Sequence, residues 1–161
     1  MKHIFLLLAL SAEFSSCSNK AEHVEKAFYY WKSDTSYLTD TERTILDTTK
    51  VRKIYVKFFE VKHDELMGNI PFAKSSLGSY EGLGVDSITV IPTVYIENDV
   101  FIKSSAAELD TLAVNMACLL NKNYKERFSL SGLKEIQMDC DWTPKSRNNY
   151  FYFLKALSFT K

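Results

Sequence analysis

Apolar residues follow two different spacings along this chain, and each spacing predicts a different kind of element. Short runs rich in aromatic and β-branched residues predict strands at residues 28–31, 53–61, 88–96 and 135–142. Longer stretches with apolar residues at helical spacing follow the first, third and fourth of these runs. The sequence therefore predicts strands and helices that alternate.

Each predicted helix also begins with a recognisable start signal. Thr39 and Glu42 form a capping-box pattern before a helix over residues 38–49, and Ser105 and Glu108 form a second one. The helix after Ser105 has an apolar face of Leu109, Leu112, Ala113, Met116, Leu119 and Leu120. Thr143 and Pro144 suit the N-cap and first position of the last helix, whose predicted apolar stripe is Tyr150, Phe151, Leu154 and Leu157.

Residues 62–87 are the exception to this regular pattern. They contain Pro71 and four of the five glycines, so we expect a loop with a short helix. In the third strand, Pro92 either interrupts the hydrogen-bond ladder or lies at the strand's end.

Four strand–helix repeats predict parallel strands joined by right-handed crossovers, an α/β fold. Two architectures fit: a small open doubly wound sheet, and the first half of a (β/α)8 barrel, whose whole length is about 250 residues. The alternation of apolar and polar residues along the predicted strands favours the partial barrel, with about four βα units. In the last strand Ile136, Met138 and Cys140 share one face, and Gln137, Asp139 and Asp141 share the other. In the second strand Ile54, Val56 and Phe58 alternate with Tyr55, Lys57 and Phe59.

The first 16 residues have the pattern of a signal peptide. Lys2 precedes a short apolar stretch at residues 4–10, and small residues then lead to Cys17, which resembles a lipobox. We expect a lipoprotein signal peptide at 1–16, a lipidated Cys17 that opens a tether at 17–26, and the barrel-like domain at 27–161. Two alternatives stay open: ordinary secretion after cleavage near residues 9–11, and a buried N-terminal strand with a chance cysteine. The expected location is the cell envelope, or the periplasm or exterior if the chain is simply secreted.

Composition narrows the function classes. Twenty basic and 20 acidic side chains balance, whereas a non-specific nucleic-acid binder has a basic excess. The three cysteines, Cys17, Cys118 and Cys140, form no CxxC pair, so no structural metal site is expected. Neither a GxGxxG motif nor a P-loop is present, and no cofactor is expected.

The segment 136–142, IQMDCDW, resembles the fourth-strand signature of the chitinase-like glycoside hydrolases. The wider chain is similar to a group of uncharacterised Bacteroidota lipoproteins with a hydrolase-like barrel, through YVKFFEV at 55–61, VIPTVYI at 90–96 and NNYFYFLKAL at 148–157. The resemblance implies four further βα units, which suggests a truncated or frameshifted reading frame. It also implies a glutamate general acid after Trp142, where this chain has Thr143.

Candidate site residues lie at the ends of the second and fourth strands. Asp139 and Asp141 share a strand face, with Glu60 as a partner from the second strand, and such carboxylates can divide acid and base roles. Lys57 would hold Asp139 ionised. The competing interpretation is a purely structural Lys57–Asp139 ion pair. The large aromatics Trp142, Trp31 and Tyr30 would stack on sugar rings, or else belong to the core.

Three functional hypotheses follow. The first is an envelope lipoprotein with a glycoside-hydrolase-like barrel fragment that acts on or binds glycans and is inactive alone. The second is a non-catalytic lipoprotein of an envelope complex, which Thr143 favours. The third is a complete small α/β domain that binds a ligand at a topological switch point. The expected partners are the membrane, through Cys17, and a glycan.

Overall fold

The structure is a computed structural model that describes residues 24–32, 37–72, 74, 88–129 and 132–158. The predicted signal peptide, Cys17 and most of the tether lie outside these residues. The elements, in chain order, are β1 (Ala27–Tyr30), α1 (Asp40–Thr49), β2 (Lys53–Asp64), β3 (Gly68–Phe72), β4 (Thr89–Ile96), α2 (Asn98–Lys103), α3 (Ala106–Phe128), β5 (Gln137–Asp139) and α4 (Arg147–Ser158).

The predicted α/β class and parallel strands are confirmed. Strands β1, β2, β4 and β5 are parallel neighbours in that order, and β3 pairs antiparallel with the C-terminal part of β2. The parallel order follows the chain without reversal. The described strands therefore contain no topological switch point of the kind that the third hypothesis needs.

The strand register sorts the side chains onto two faces of the sheet. Along β4, Val90, Pro92, Val94 and Ile96 lie on one face, and Ile91, Thr93 and Tyr95 lie on the other. The first face is buried against the helices, together with apolar residues of α3 such as Leu109, Leu112, Met116 and Leu120. Ile91 is buried at 3% exposure but lies outside this core cluster, as its position on the second face requires.

We call the second face the polar face. It consists of three rows across neighbouring strands: Tyr29, Tyr55 and Ile91; Lys57, Thr93 and Gln137; Glu60, Tyr95 and Asp139. As predicted for the last strand, Ile136, Met138 and Cys140 pack against the core while Asp139 lies on the opposite face. The strand itself is shorter than the predicted 135–142.

A β-bulge at Phe58 corrects the predicted alternation in β2. Lys57 pairs with Thr93 but Phe59 already pairs with Val94, so Phe58 is the extra residue. The Phe58 ring stacks on Phe128 of α3 with centroids 5.7 Å apart. Phe58 and Phe59 are both fully buried on the helix side. The prediction that Phe59 shares the face of Lys57 is therefore wrong.

The predicted loop at the start of residues 62–87 is wrong, because β2 runs on to Asp64 and turns into β3. The Asp64 carboxylate accepts hydrogen bonds from the main-chain N–H groups of Leu66 and Met67, which closes the turn. Gly68 then has φ of 71°, a backbone conformation that glycine adopts at no steric cost. The short helix predicted further along lies outside the described residues.

Both predicted capping boxes are formed, at Thr39 with Glu42 and at Ser105 with Glu108. Helix α3 buries the predicted stripe except Leu119, which is half-buried. Helix α4 buries Phe153 instead of the predicted Phe151, which is 52% exposed. The short helix α2 was not predicted.

Candidate ligand-binding face

The polar face ends in a row that contains two of the predicted site residues. Glu60, Tyr95 and Asp139 are register partners on β2, β4 and β5, close to the C-terminal ends of these strands. Two strand spacings separate Glu60 from Asp139, about 9–10 Å at the backbone. Side chains on one face of a sheet at this separation can contact one ligand together. The structure thus brings Glu60 and Asp139 to one row, as the sequence predicted.

The bulge at Phe58 explains how Glu60 reaches this face. Glu60 is three positions after Lys57, so regular alternation would place the two side chains on opposite faces, and the extra residue returns Glu60 to the face of Lys57. With it, Lys57 Nζ lies 2.6 Å from Glu60 Oε1. Lys57 is nearly buried, at 5% exposure, so its ammonium group needs this partner. The predicted Lys57–Asp139 pair is therefore wrong, and the lysine's partner is Glu60.

One large aromatic ring lies beside this ion pair. The Lys57 ammonium is 5.7 Å from the centroid of the Trp31 ring, within the range of a cation–π contact. Trp31 is 39% exposed, so part of its ring remains open to solvent. Among the three predicted stacking residues, Trp31 is the one that lies next to the predicted carboxylate site.

The other two predicted aromatics lie elsewhere. Tyr30 is 4% exposed and belongs to the core cluster, so its predicted role in stacking on a ligand is wrong. Trp142 is half-exposed but stacks on Tyr150 of α4, with centroids 6.2 Å apart and planes 17° apart. Its ring also meets the edge of Phe151. These contacts place Trp142 on the helix side, away from the polar face.

Asp141 lies beyond the end of β5 and is exposed. Burial raises the pKa of Tyr95, and the negative charges of Asp141 and Asp139 raise it further. Asp139 is the register partner of Tyr95 across β4 and β5. A protonated phenol flanked by carboxylates can donate a hydrogen bond to a ligand while the carboxylates accept.

Tyrosines and a glutamate cover the rows nearer the N-terminal ends of the strands. Tyr29 donates a hydrogen bond of 2.9 Å to Gln137 Oε1, and Tyr55 donates one of 3.0 Å to Glu135 Oε1. The two tyrosine rings stack with centroids 4.9 Å apart. Burial and the Glu135 carboxylate raise the pKa of Tyr55. These contacts link the side chains of the lower polar face, although Tyr29 and Glu135 remain exposed to solvent. The predicted carboxylates Glu60 and Asp139 lie in the upper row.

Sequence reasoning did not select Tyr29, Tyr55, Tyr95 or Thr93 as site residues. Tyr55 and Tyr95 were detectable, because period-2 alternation places them on the face of Lys57 and Thr93. Thr93 is fully buried, and its hydroxyl has no hydrogen-bond partner. No sequence signal marks an unpaired hydroxyl, since its surroundings come from other strands.

The position of the general acid in the chitinase-like signature has a structural role here. The Thr143 main-chain N–H donates to Ser146 Oγ at 2.8 Å, and its carbonyl oxygen accepts from Arg147 N–H at 2.9 Å. Ser146, fully buried, also donates a hydrogen bond to the Asn98 side chain. Thr143 therefore starts the turn into α4. Its hydroxyl cannot replace the carboxylic acid that serves as general acid in the signature.

Cys118 and Cys140 are both free thiols. Burial raises the pKa of Cys140 from 9.0 to about 11, with Asp141 and Asp139 adding to the effect. A thiol that keeps its proton is a poor nucleophile, which fits the position of Cys140 against the core. Cys118 is exposed on α3.

The described part of the chain holds no group of three or more His, Cys, Asp or Glu side chains arranged to bind a metal ion. Among the same residues, no helix combines the length and apolar character that a membrane crossing requires. In comparisons with known proteins, no family model, no curated protein and no solved structure matches the chain.

Proposed function

We propose that this chain is an envelope lipoprotein whose folded part is half of a (β/α)8-type barrel and binds glycans at the mouth of the polar face, without hydrolysing them on its own. The observation that carries the proposal is the row of Glu60, Tyr95 and Asp139, which lies at the C-terminal ends of β4 and β5 and where β2 last pairs with β4. Ligand sites of such barrels lie at this end of the strands.

The half-barrel proposal has two supports. Four parallel strands follow one another in chain order, whereas a doubly wound sheet reverses its strand order at a switch point. Among the described residues the helices pack on one face of the sheet, and the opposite face has mostly polar and aromatic side chains. A barrel wall has this division, because its inner face turns towards a lumen.

Sugars suit the chemistry at this mouth. Carboxylates and a phenol can accept from and donate to the hydroxyl groups of a sugar, and an open indole face suits the apolar C–H face of a sugar ring. Asp139 and Tyr95 supply the polar groups, and the half-exposed Trp31 supplies the ring. The resemblance to chitinase-like hydrolases points to β-1,4-linked N-acetylglucosamine.

The residues at this mouth fit binding without hydrolysis. Glycoside cleavage by a carboxylate pair needs one protonated carboxylic acid at the leaving oxygen and a second carboxylate opposite it. Thr143 stands at the expected acid position and begins the turn that leads into α4. Glu60 is already bound to Lys57. Binding therefore fits these residues better than catalysis does.

Isothermal titration of the full chain with N-acetylglucosamine hexamer tests the binding. We expect Trp31→Ala and Asp139→Asn to weaken it by about tenfold, or about 1.4 kcal/mol, for one lost stacking or charged contact. Phe151→Ala is the matched control, since it removes an exposed ring on α4 and should bind normally. If the wild type does not bind, or all three variants bind alike, the proposed site is wrong.

Release of reducing ends from the same oligomer separates binding from catalysis. We expect none from the wild type. Release that is abolished by Asp141→Asn would replace the binding proposal with a hydrolase that uses the predicted carboxylates.

The lipid anchor rests on the sequence pattern that leads to Cys17, which lies outside the described residues. Mass analysis of the chain from its bacterial host should show an acylated N-terminal Cys17 in the membrane fraction. In Cys17→Ala, the unmodified chain should leave that fraction. A mature N-terminus near residues 9–11 without lipid would favour the alternative of simple secretion.

A further inference from the structure

We propose that two copies of this chain close one barrel, with the outer edge of β5 in each copy pairing in parallel with the outer edge of β1 in the other. The proposal rests on the half-barrel architecture proposed above, but not on the glycan. It assigns a partner to the outer edges of β1 and β5, the first and last of the four parallel strands, which the described residues leave unpaired.

The sheet has the right composition for such closure. Its four parallel strands are half of the eight in a (β/α)8 barrel. A twofold axis along the barrel would place them in the order β1, β2, β4, β5 and then β1 of the second copy, with all strands parallel. Closure pairs the outer edges of β1 and β5, which otherwise expose unpaired N–H and C=O groups, whereas β3 pairs with β2 beyond the end of β1 and keeps its own outer edge. Closed twofold assemblies are also the commonest among soluble oligomers.

An apolar groove runs beside the open edge of β5. Its volume is about 450 Å³, and it lies between β5 and the underside of α4. Its apolar lining consists of Ile136, Met138, Leu154, Leu157 and the ring of Tyr150, and Tyr55, Glu135, Gln137 and Ser158 form its polar rim. A strand added to β5 would place its helix-side residues in this groove.

The outer edge of β1 presents a matching side chain. Phe28 is the register partner of Ile54, so it lies on the helix side of the sheet. It is 38% exposed, although its neighbour Tyr30 on the same side is buried. Added beside β5 of a second copy, β1 would insert Phe28 into the groove, as a core residue of a complete barrel would be.

The helices that would meet across this junction carry opposite charge. In the closed order, α4 of one copy becomes the neighbour of α1 of the other. Helix α1 contains Asp40, Glu42 and Asp47 against Arg43 alone. Helix α4 contains Arg147 and Lys155 and no acidic residue. The two junctions of a twofold dimer would both benefit from this complementarity, which also disfavours pairing of α4 with α4.

The net charge of the whole chain does not oppose association of two copies. Its formal net charge is 0 at pH 7. A net charge near zero removes long-range repulsion between copies and favours association.

Sedimentation velocity of the full chain, in a density-matched non-ionic detergent that keeps the apolar N-terminal stretch from associating, tests the dimer. We expect a single species of twice the chain mass of 18.5 kDa at micromolar concentration. Phe28→Asp and Leu154→Asp each put a carboxylate into the groove contact and should give monomers. Phe151→Asp is the matched control, because Phe151 is exposed on α4 but does not line the groove, and it should stay dimeric.

Circular dichroism distinguishes loss of the dimer from loss of the fold, since both groove variants should keep the helical signal of the wild type. A monomeric wild type, a ladder of larger species, or dimers that survive both groove substitutions would each overturn the proposal. Glycan binding by a monomer would leave the proposed function standing without the dimer. A dimer that binds no glycan would do the reverse.

Discussion

Tyr29 on β1 donates a hydrogen bond to Gln137 on β5, although these residues belong to the two opposite edges of the parallel sheet. Three strand spacings separate the edges, about 14 Å across a flat sheet. The two side chains therefore lean over the intervening strands from both sides. Curvature of the sheet towards this face would shorten the gap, and that is the direction in which a barrel closes.

The bond between these edges should be measurable as a coupling energy. In a double-mutant cycle of Tyr29→Phe and Gln137→Leu, we expect each single change to cost about 0.5–1 kcal/mol and the pair to be coupled by a similar amount. Urea unfolding of the four proteins gives the energies. Tyr55→Phe combined with Gln137→Leu is the control cycle, because Tyr55 bonds to Glu135. Equal coupling in both cycles would contradict a specific Tyr29–Gln137 bond.

Replacing Glu60 should lower the free energy of unfolding more than replacing Lys57, its partner in the ion pair. Glu60→Leu leaves a nearly buried ammonium without its partner, and we expect a loss of about 2–3 kcal/mol in the free energy of unfolding. Lys57→Met should cost less, since Glu60 retains more contact with solvent. The double variant Lys57→Met/Glu60→Leu should return to within about 1 kcal/mol of the wild type. A double variant less stable than Glu60→Leu alone would contradict the pairing.

The unpaired hydroxyl of Thr93 gives a prediction of opposite sign. Leaving a buried hydroxyl without a partner costs about 1–3 kcal/mol, and valine has nearly the same shape without that group. Thr93→Val should therefore be as stable as the wild type or more stable. Thr93→Ser keeps the hydroxyl but removes the methyl group, so it should lose about 1 kcal/mol. Thermal unfolding of both variants is the measurement, and a clear loss in Thr93→Val would mean that the hydroxyl is hydrogen-bonded.

The elements predicted correctly are those with a local cause. The capping boxes at Thr39 and Ser105 fix helix starts through contacts within four residues, so the sequence shows them directly. Alternation in β5 placed Asp139 and Met138 on opposite faces for the same reason. Parallel pairing followed from the order of strands and helices.

The predictions that are wrong concern side chains whose position depends on residues distant in the sequence. The bulge at Phe58 exists because two phenylalanines are buried against α3, and residues 57–60 alone do not show which of them is extra. The same bulge gives Lys57 the partner Glu60 in place of Asp139. Tyr30 and Trp142 have the aromatic side chains that stack on ligands, and the sequence does not show where they pack. Tyr30 is buried in the core, and Trp142 stacks on Tyr150 of α4.

The two described cysteines should react at very different rates with iodoacetamide. The thiolate is the reactive form, and burial holds the pKa of Cys140 at about 11. At pH 8 its thiolate fraction is about 100-fold lower than for a pKa of 9.0. Cys118 is exposed and should be labelled first. Peptide-level mass analysis over time separates the two sites.

The pH dependence of this labelling gives the sharper result. The rate at Cys140 should rise about tenfold per pH unit from 8 to 10 without reaching a plateau. The same raised pKa affects stability. Between pH 9 and about pH 11, Cys140 of the folded chain keeps a proton that the unfolded chain loses. The free energy of unfolding should therefore fall as the pH rises through this range. Cys140→Ala should lose this part of the alkaline decline, although its smaller side chain lowers stability at every pH. A labelling plateau below pH 9 would show that Cys140 is far more solvated than its position against the core implies.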